Sequence, residues 1–207
     1  MKNQIKIAAI LLLLLIGSMI LGTGCKSNTK MKEQKTEDEE REEDNQTIID
    51  GKDNVEVQGS IEGTTYVSSA GNITITLPDA GWSCESDASD YITFSSPDGM
   101  MNIVRMDGSE AIATSMFHSA EEYLAYLKGT TPNLEGEVTS FEVTQTDGKN
   151  SFSGVFHYTG ENEFRYTVSY GIEFPDHCYL INAMLRTEDE MILEEVQTSI
   201  CECQITE

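Results

Sequence analysis

The chain begins with one kind of apolar pattern and continues with another. Ile7 to Leu21 is an almost unbroken apolar run, preceded by Lys2 and Lys6 and followed by Gly22-Thr23-Gly24-Cys25. From about Thr64 onward, apolar and polar residues alternate, the period of a strand with one face in a core. Tyr66-Val67 and Ile73, Ile75 and Leu77 read as two strands. Tyr91 to Ser95 and Met100 to Met106 form a hairpin about Pro97-Asp98-Gly99, where the glycine is expected to supply a positive φ. His118 to Gly129 reads as a helix, with Ser119 and Glu122 as a capping box and Tyr123, Leu124 and Leu127 as its apolar stripe. Four strands follow: Val138 to Thr146, Ser151 to Thr159, Glu163 to Phe174 and Cys178 to Arg186. In the third, Phe164, Tyr166, Val168, Tyr170, Ile172 and Phe174 alternate without a slip against polar or small residues. Thr187 and Glu190 open a second helix, which carries Ile192, Val196 and Ile200 on one side.

Runs of strands separated by single helices predict an α+β fold: an antiparallel meander packed on one face by two helices. Most of the aromatic residues then belong to the core. A binding surface is expected on the uncovered face of the meander, towards which Arg165, Thr167 and Ser169 would point.

The N-terminal pattern predicts where such a domain would work. A membrane span needs about 20 apolar residues and the core of a secretory signal about 7 to 15, and Ile7 to Leu21 fits the shorter class. Positive charge, apolar core, small residues and then cysteine resemble the lipoprotein signal peptide of bacteria. Gly22 stands where that family carries a large aliphatic residue, with Leu21 one place earlier. The resemblance implies cleavage before Cys25 and a covalent diacylglycerol and N-acyl lipid (palmitate-type chains) on its sulfur and amine. It also implies lipid anchorage at the extracytoplasmic face of the cell membrane. An uncleaved anchor or simple secretion would place the domain on the same side. The expected organisation is a signal peptide over 1–24, a charged disordered tether over 25–60 and a folded domain over 61–207. The tether, KSNTKMKEQKTEDEEREEDNQ at its start, has too little apolar surface to offset its ordering entropy, and spans roughly 30 Å as a coil.

Charge excludes one class of function. With 13 basic and 36 acidic side chains the formal net charge is -23. Lys52, Arg105, Lys128, Lys149, Arg165 and Arg186 are scattered singly, so no positive footprint for nucleic acid exists.

Tyr66, then Gly71-Asn72-Ile73-Thr74-Ile75-Thr76-Leu77-Pro78-Asp79-Ala80-Gly81-Trp82, with the hairpins, helix, four-strand meander and closing helix, is similar to the PsbP family. These are extrinsic subunits of the photosynthetic oxygen-evolving complex, with many bacterial lipoprotein relatives. The resemblance covers about Tyr66 to Ile205 and implies a non-catalytic accessory or interaction domain. The photosynthetic role in manganese and calcium retention is not implied, because no matching residues are present.

The candidate chemistry is sparse. The three histidines, His118, His157 and His177, accompany no G-x-S-x-G elbow, which argues against a serine hydrolase. Asp98-Gly99, Asp107-Gly108 and Asp147-Gly148 lack the spacing of a calcium loop and read as turns. Cys84, Cys178, Cys201 and Cys203 leave disulfides, buried thiols or a soft-metal site open; one-residue spacing in Cys201-Glu202-Cys203 is unusual for structural zinc. No cofactor and no metal site is expected. The leading expectation is an accessory module with an unidentified protein or small-ligand partner. A receptor handing a small molecule or peptide to a membrane partner is the alternative, and an enzyme using Cys201 and Cys203 a third.

Overall fold

A computed structural model of the chain describes residues 59–146 and 148–206. The expected signal peptide, Cys25 and almost all of the tether lie outside the described residues, as does Asp147 of the third turn. The chain forms β1 (Ser60–Glu62), β2 (Thr65–Val67), β3 (Ile73–Thr76), β4 (Ser83–Ala88), β5 (Tyr91–Ser96) and β6 (Gly99–Asp107). Two helices follow, α1 (Ser109–Ser115) and α2 (Ala120–Thr130). Then come β7 (Gly136–Thr146), β8 (Lys149–Tyr158), β9 (Tyr166–Glu173), β10 (His177–Leu185), α3 (Glu190–Cys201) and β11 (Gln204–Ile205).

The four-strand meander expected after the first long helix is present as β7 to β10, all antiparallel. It joins the earlier hairpin through β6–β10, giving a seven-stranded sheet in the order β4-β5-β6-β10-β9-β8-β7. A small second sheet, β1-β2-β3-β11, recruits the C-terminal residues through Gln204↔Thr74 and Ile205↔Ile73.

Strand β10 lies in the middle of the large sheet and divides the core in two. Tyr179, Ile181, Ala183 and Leu185 face one side, where they meet Tyr66, Ile73, Ile75 and Leu77 of the small sheet region and Val196 and Ile200 of α3. Cys178 and Leu180 face the other, against Phe152, Phe156, Phe117 and Tyr123. The α+β class and the antiparallel sheet agree with the sequence. The layering goes further: among the described residues there are three helices, and both faces of the large sheet are covered, one by α1 and α2 and the other by α3 with the small sheet.

The capping signals place the helices. Ser119 Oγ accepts from Glu122 N at 3.2 Å, and Glu122 returns a carboxylate to His118 N at 2.9 Å. At α3, Asp189 is the cap, accepting from Met191 N at 2.9 Å, while Thr187 Oγ1 accepts from Asp189 N. Gly129 lies inside α2 rather than ending it, and Thr131 is the cap. The turn at Pro97-Asp98-Gly99 corrects one expectation. Gly99 has no positive φ; it is required because a Cβ would run into the Met184 carbonyl of the adjacent β10.

Candidate functional site

The antiparallel register puts alternate residues of β7, β8 and β9 on a common surface. Glu142 lies opposite Ser153, and Ser153 opposite Tyr170; Thr144 lies opposite Ser151, and Ser151 opposite Ile172. α3 and β11 cover this face over β9 and β10 but stop short of β7. The boundary leaves an open-topped groove of about 630 Å³. Its floor is the hydroxyl row of Thr144, Ser151 and Ser153 with Tyr170, and its far wall is Cys201, Cys203, Gln204 and Ile205. Glu142 and Lys149 supply one carboxylate and one ammonium. Thr144 Oγ1 and Ser151 Oγ share a hydrogen bond of 2.7 Å. Lys149 is held with its Nζ 4.1 Å from the centre of the Phe174 ring, a cation–π contact at the rim.

The groove is on the opposite face from the one expected. Thr167 and Ser169 are buried on the α2 side, where Tyr158 OH meets Thr167 Oγ1 at 2.8 Å and Tyr123 OH meets Ser169 Oγ at 2.9 Å. Strand β9 is internal, so both its faces are occupied, and the residues beside its aromatic positions serve a helix rather than solvent. Arg165 lies beyond the end of β9, with Nε 3.5 Å from Glu188. The groove side of β8 carries instead a buried Ser151 and a half-buried Ser153, which alternate with Phe152 and Gly154; Ser-x-Ser within a strand was the available signal.

The four described cysteines are free thiols in three surroundings. Cys84 is half-buried on β4, with its thiol 3.5 Å from the Ser86 carbonyl. Cys178 is buried on the α2 face, so the whole sheet separates its sulfur from Cys84 and Cys203, which pack against the other face. Cys201 and Cys203 do meet one site, the wall of the groove. Burial pushes Cys203 up to about 12. At Cys201 the protein packed around the sulfur, then the carboxylates of Glu142 and Glu202, push the thiol up. Tyr170 is also raised, first by burial and then by the two cysteines, against a Ser151 hydroxyl that pulls it down. Every thiol and phenol of the groove is therefore held towards its neutral form.

The histidines do not converge. His118 is exposed beside Glu122 at 3.6 Å, His157 stacks on Tyr166 at 4.8 Å, and His177 is buried with Nδ1 2.7 Å from Asp176 and its ring parallel to Phe174 at 4.7 Å. Hydrogen bonding to His177 holds the Asp176 carboxyl below its usual range. Among the described residues, no three or more His, Cys, Asp or Glu side chains gather as a metal ion would require. No described helix is long and apolar enough to cross a membrane.

No protein-family model and no curated protein matches the chain. Solved structures do. The solution structure of the cyanobacterial PsbP protein CyanoP from Synechocystis superposes with a TM-score of 0.52 at 12 % identity, over 71 % of this chain and 95 % of that one. The fold is PsbP-like. The Ran-binding protein Mog1p of Saccharomyces cerevisiae reaches a TM-score of 0.48 at 10 % identity, over 70 % of this chain and 96 % of that one. The groove lies on the β7–β9 margin of this fold.

Proposed function

We propose that the chain is a lipid-anchored extracytoplasmic accessory module that binds a partner through the β7–β9 groove and catalyses no reaction. The anchor rests on the signal-type pattern ending at Cys25, and the domain limits of 25–60 for the tether and 61–207 for the folded part follow from it. The observation that carries the binding reading is the chemistry of the groove. Hydroxyls, one carboxylate and one ammonium line a concave surface, while its thiols and its tyrosine are raised away from their reactive forms. Catalytic thiols show the opposite shift, towards thiolate. A receptor for a small molecule or peptide is the second reading, favoured by the groove volume, which lies within the usual range of ligand pockets, about 300 to 1,000 Å³.

Two experiments test the proposal. Expressed with its signal intact in bacteria, the chain should yield a mature mass beginning at Cys25 plus lipid, and Cys25→Ser should remain unprocessed. A wild-type product starting at Met1, or lipid still attached to the Cys25→Ser chain, would overturn the anchor. For the groove, a photo-crosslinking residue at Ser153 should give adducts in intact cells that the same residue at Ala113, on the exposed side of α1, does not. Equal labelling from both positions would sink the groove.

A further inference from the structure

We infer that the outer edge of β7, over Ser140–Thr146, is a strand-addition site for an extended peptide that alternates basic and apolar side chains. This deepens the binding reading above and rests on it, because the edge is the rim of the groove. A strand at the end of a sheet carries a row of backbone N–H and C=O groups without partners, and proteins usually shorten, bend or charge such strands to prevent pairing. The other sheet ends follow that rule: β1 has 3 residues, β11 has 2, and β4 has 6 with a bulge between Cys84 and Ser86 and two carboxylates, Glu85 and Asp87. β7 does not. It runs for 11 residues and, among the described residues, pairs with β8 alone. Its one bulge, between Val138 and Ser140, lies near its start, and the rest of the strand contains neither proline nor lysine.

The side chains define the occupant. Ser140, Glu142 and Thr144 face the groove side, opposite Val155, Ser153 and Ser151. Phe141 and Val143 face the α2 side, where Phe141 packs on Phe152 and Val143 remains 44 % exposed. A strand laid along this edge continues both rows, since cross-strand neighbours share a face. Its groove-side residues come beside Glu142, and its other residues beside Val143. Charge selects between candidates. The chain is at -23, the edge carries Glu137 and Glu142 without a cation, and Arg105, Arg165 and Arg186 each already meet a carboxylate. A second copy would bring like charges together on the edge and over the whole surface, whereas lysines or arginines at alternate positions complement both.

The test uses the full chain in mild detergent with two synthetic heptapeptides, KVKVKVK and EVEVEVE, followed by amide hydrogen exchange. Strand addition protects alternate outward-facing amides, so KVKVKVK should slow exchange within Ser140–Thr146 by about tenfold and EVEVEVE should not. Glu142→Lys should weaken KVKVKVK binding by about tenfold while leaving the thermal midpoint unchanged. Absence of binding, binding without protection of β7, or protection that grows with protein concentration in the absence of peptide (a second copy on the edge) would each overturn the inference. If Ser153 cross-links as expected while the β7 amides stay unprotected, the groove survives and the edge alone falls.

Discussion

Ser169 shows how much one hydroxyl can settle within a strand. It donates to Asn182 Oδ1 at 2.7 Å, so its remaining lone pairs accept from Tyr123 OH at 2.9 Å, and the three side chains tie α2 to β9 and β10. Ser169→Ala leaves a buried phenol and a half-buried amide oxygen short of partners, and should cost about 1–3 kcal/mol in urea unfolding. Tyr123→Phe removes the phenol and leaves Ser169 and Asn182 paired, so it should cost less, and the double variant should show that the two losses do not add. Gly171 makes the complementary point by its lack of a side chain. A Cβ there would collide with the Phe152 ring and lie 3.1 Å from Met116 Sδ, within a set where Phe152 also meets Phe117 at 5.0 Å and Phe141 at 6.0 Å. Gly171→Ala should therefore destabilise by about 1–3 kcal/mol, as overpacking does, despite the better strand propensity of alanine.

At the scale of elements, α3 and β11 decide where the groove exists. Val196 and Ile200 are completely buried against the sheet, Ser199 Oγ donates to the Thr76 carbonyl at 2.5 Å, and Thr206 N donates to Asn72 O at 2.9 Å. Ile200→Ala should cost about 2–5 kcal/mol in denaturant unfolding. Deleting 204–207 removes the β3 pairing and one wall of the groove, and should expose Cys203 to alkylation while the fold persists. This part was legible in the chain: Ile192, Val196 and Ile200 repeat at helical spacing, and β7 to β10 are separated by turn residues. Four other elements were not. β1, Ser-Ile-Glu, is three exposed residues where the tether was expected to end. α1 is only about two turns long, Ser-Glu-Ala-Ile-Ala-Thr-Ser with a glycine before it and no side-chain cap, so neither periodicity nor capping marks it. β4, Ser-Cys-Glu-Ser-Asp-Ala, has almost no apolar content, because it is an edge whose pairing with β5 is carried by backbone. β11 has only two residues and exists through its partner. The groove was misplaced for a related reason. Alternation along β9 reveals two faces but not which neighbour covers each, and tertiary packing gave the serine face to Tyr123. The β7–β8 margin became open only because the closing helix is too short to reach it.

The whole domain shares one sheet between two cores, and that arrangement predicts both its cooperativity and its response to alkali. Trp82, the single tryptophan, is buried in the α3-side core, whereas Phe117, Tyr123 and Tyr126 cluster on the α2 side. Neither core has a sheet of its own, so Trp82 fluorescence and the aromatic near-ultraviolet signal should unfold at one midpoint. Each core also holds a thiol in its protonated form: burial pushes Cys178 up to about 12 on one side and Cys203 up to about 12 on the other, from an ordinary value of 9.0. The buried phenols of Tyr66 and Tyr123 are raised by burial as well. Between these values the unfolded chain has lost protons that the folded chain retains, so the slope of stability with pH is negative. The contribution is intact below about pH 9 and is lost progressively as pH climbs towards about 12. Urea midpoints should thus hold steady to about pH 8.5 and fall above it, and Cys203→Ala should make that fall shallower without abolishing it, because Cys178 and the phenols keep their share. A midpoint that rises through the same range would mean that these groups ionise more readily in the fold than outside it, contrary to the packing of both cores.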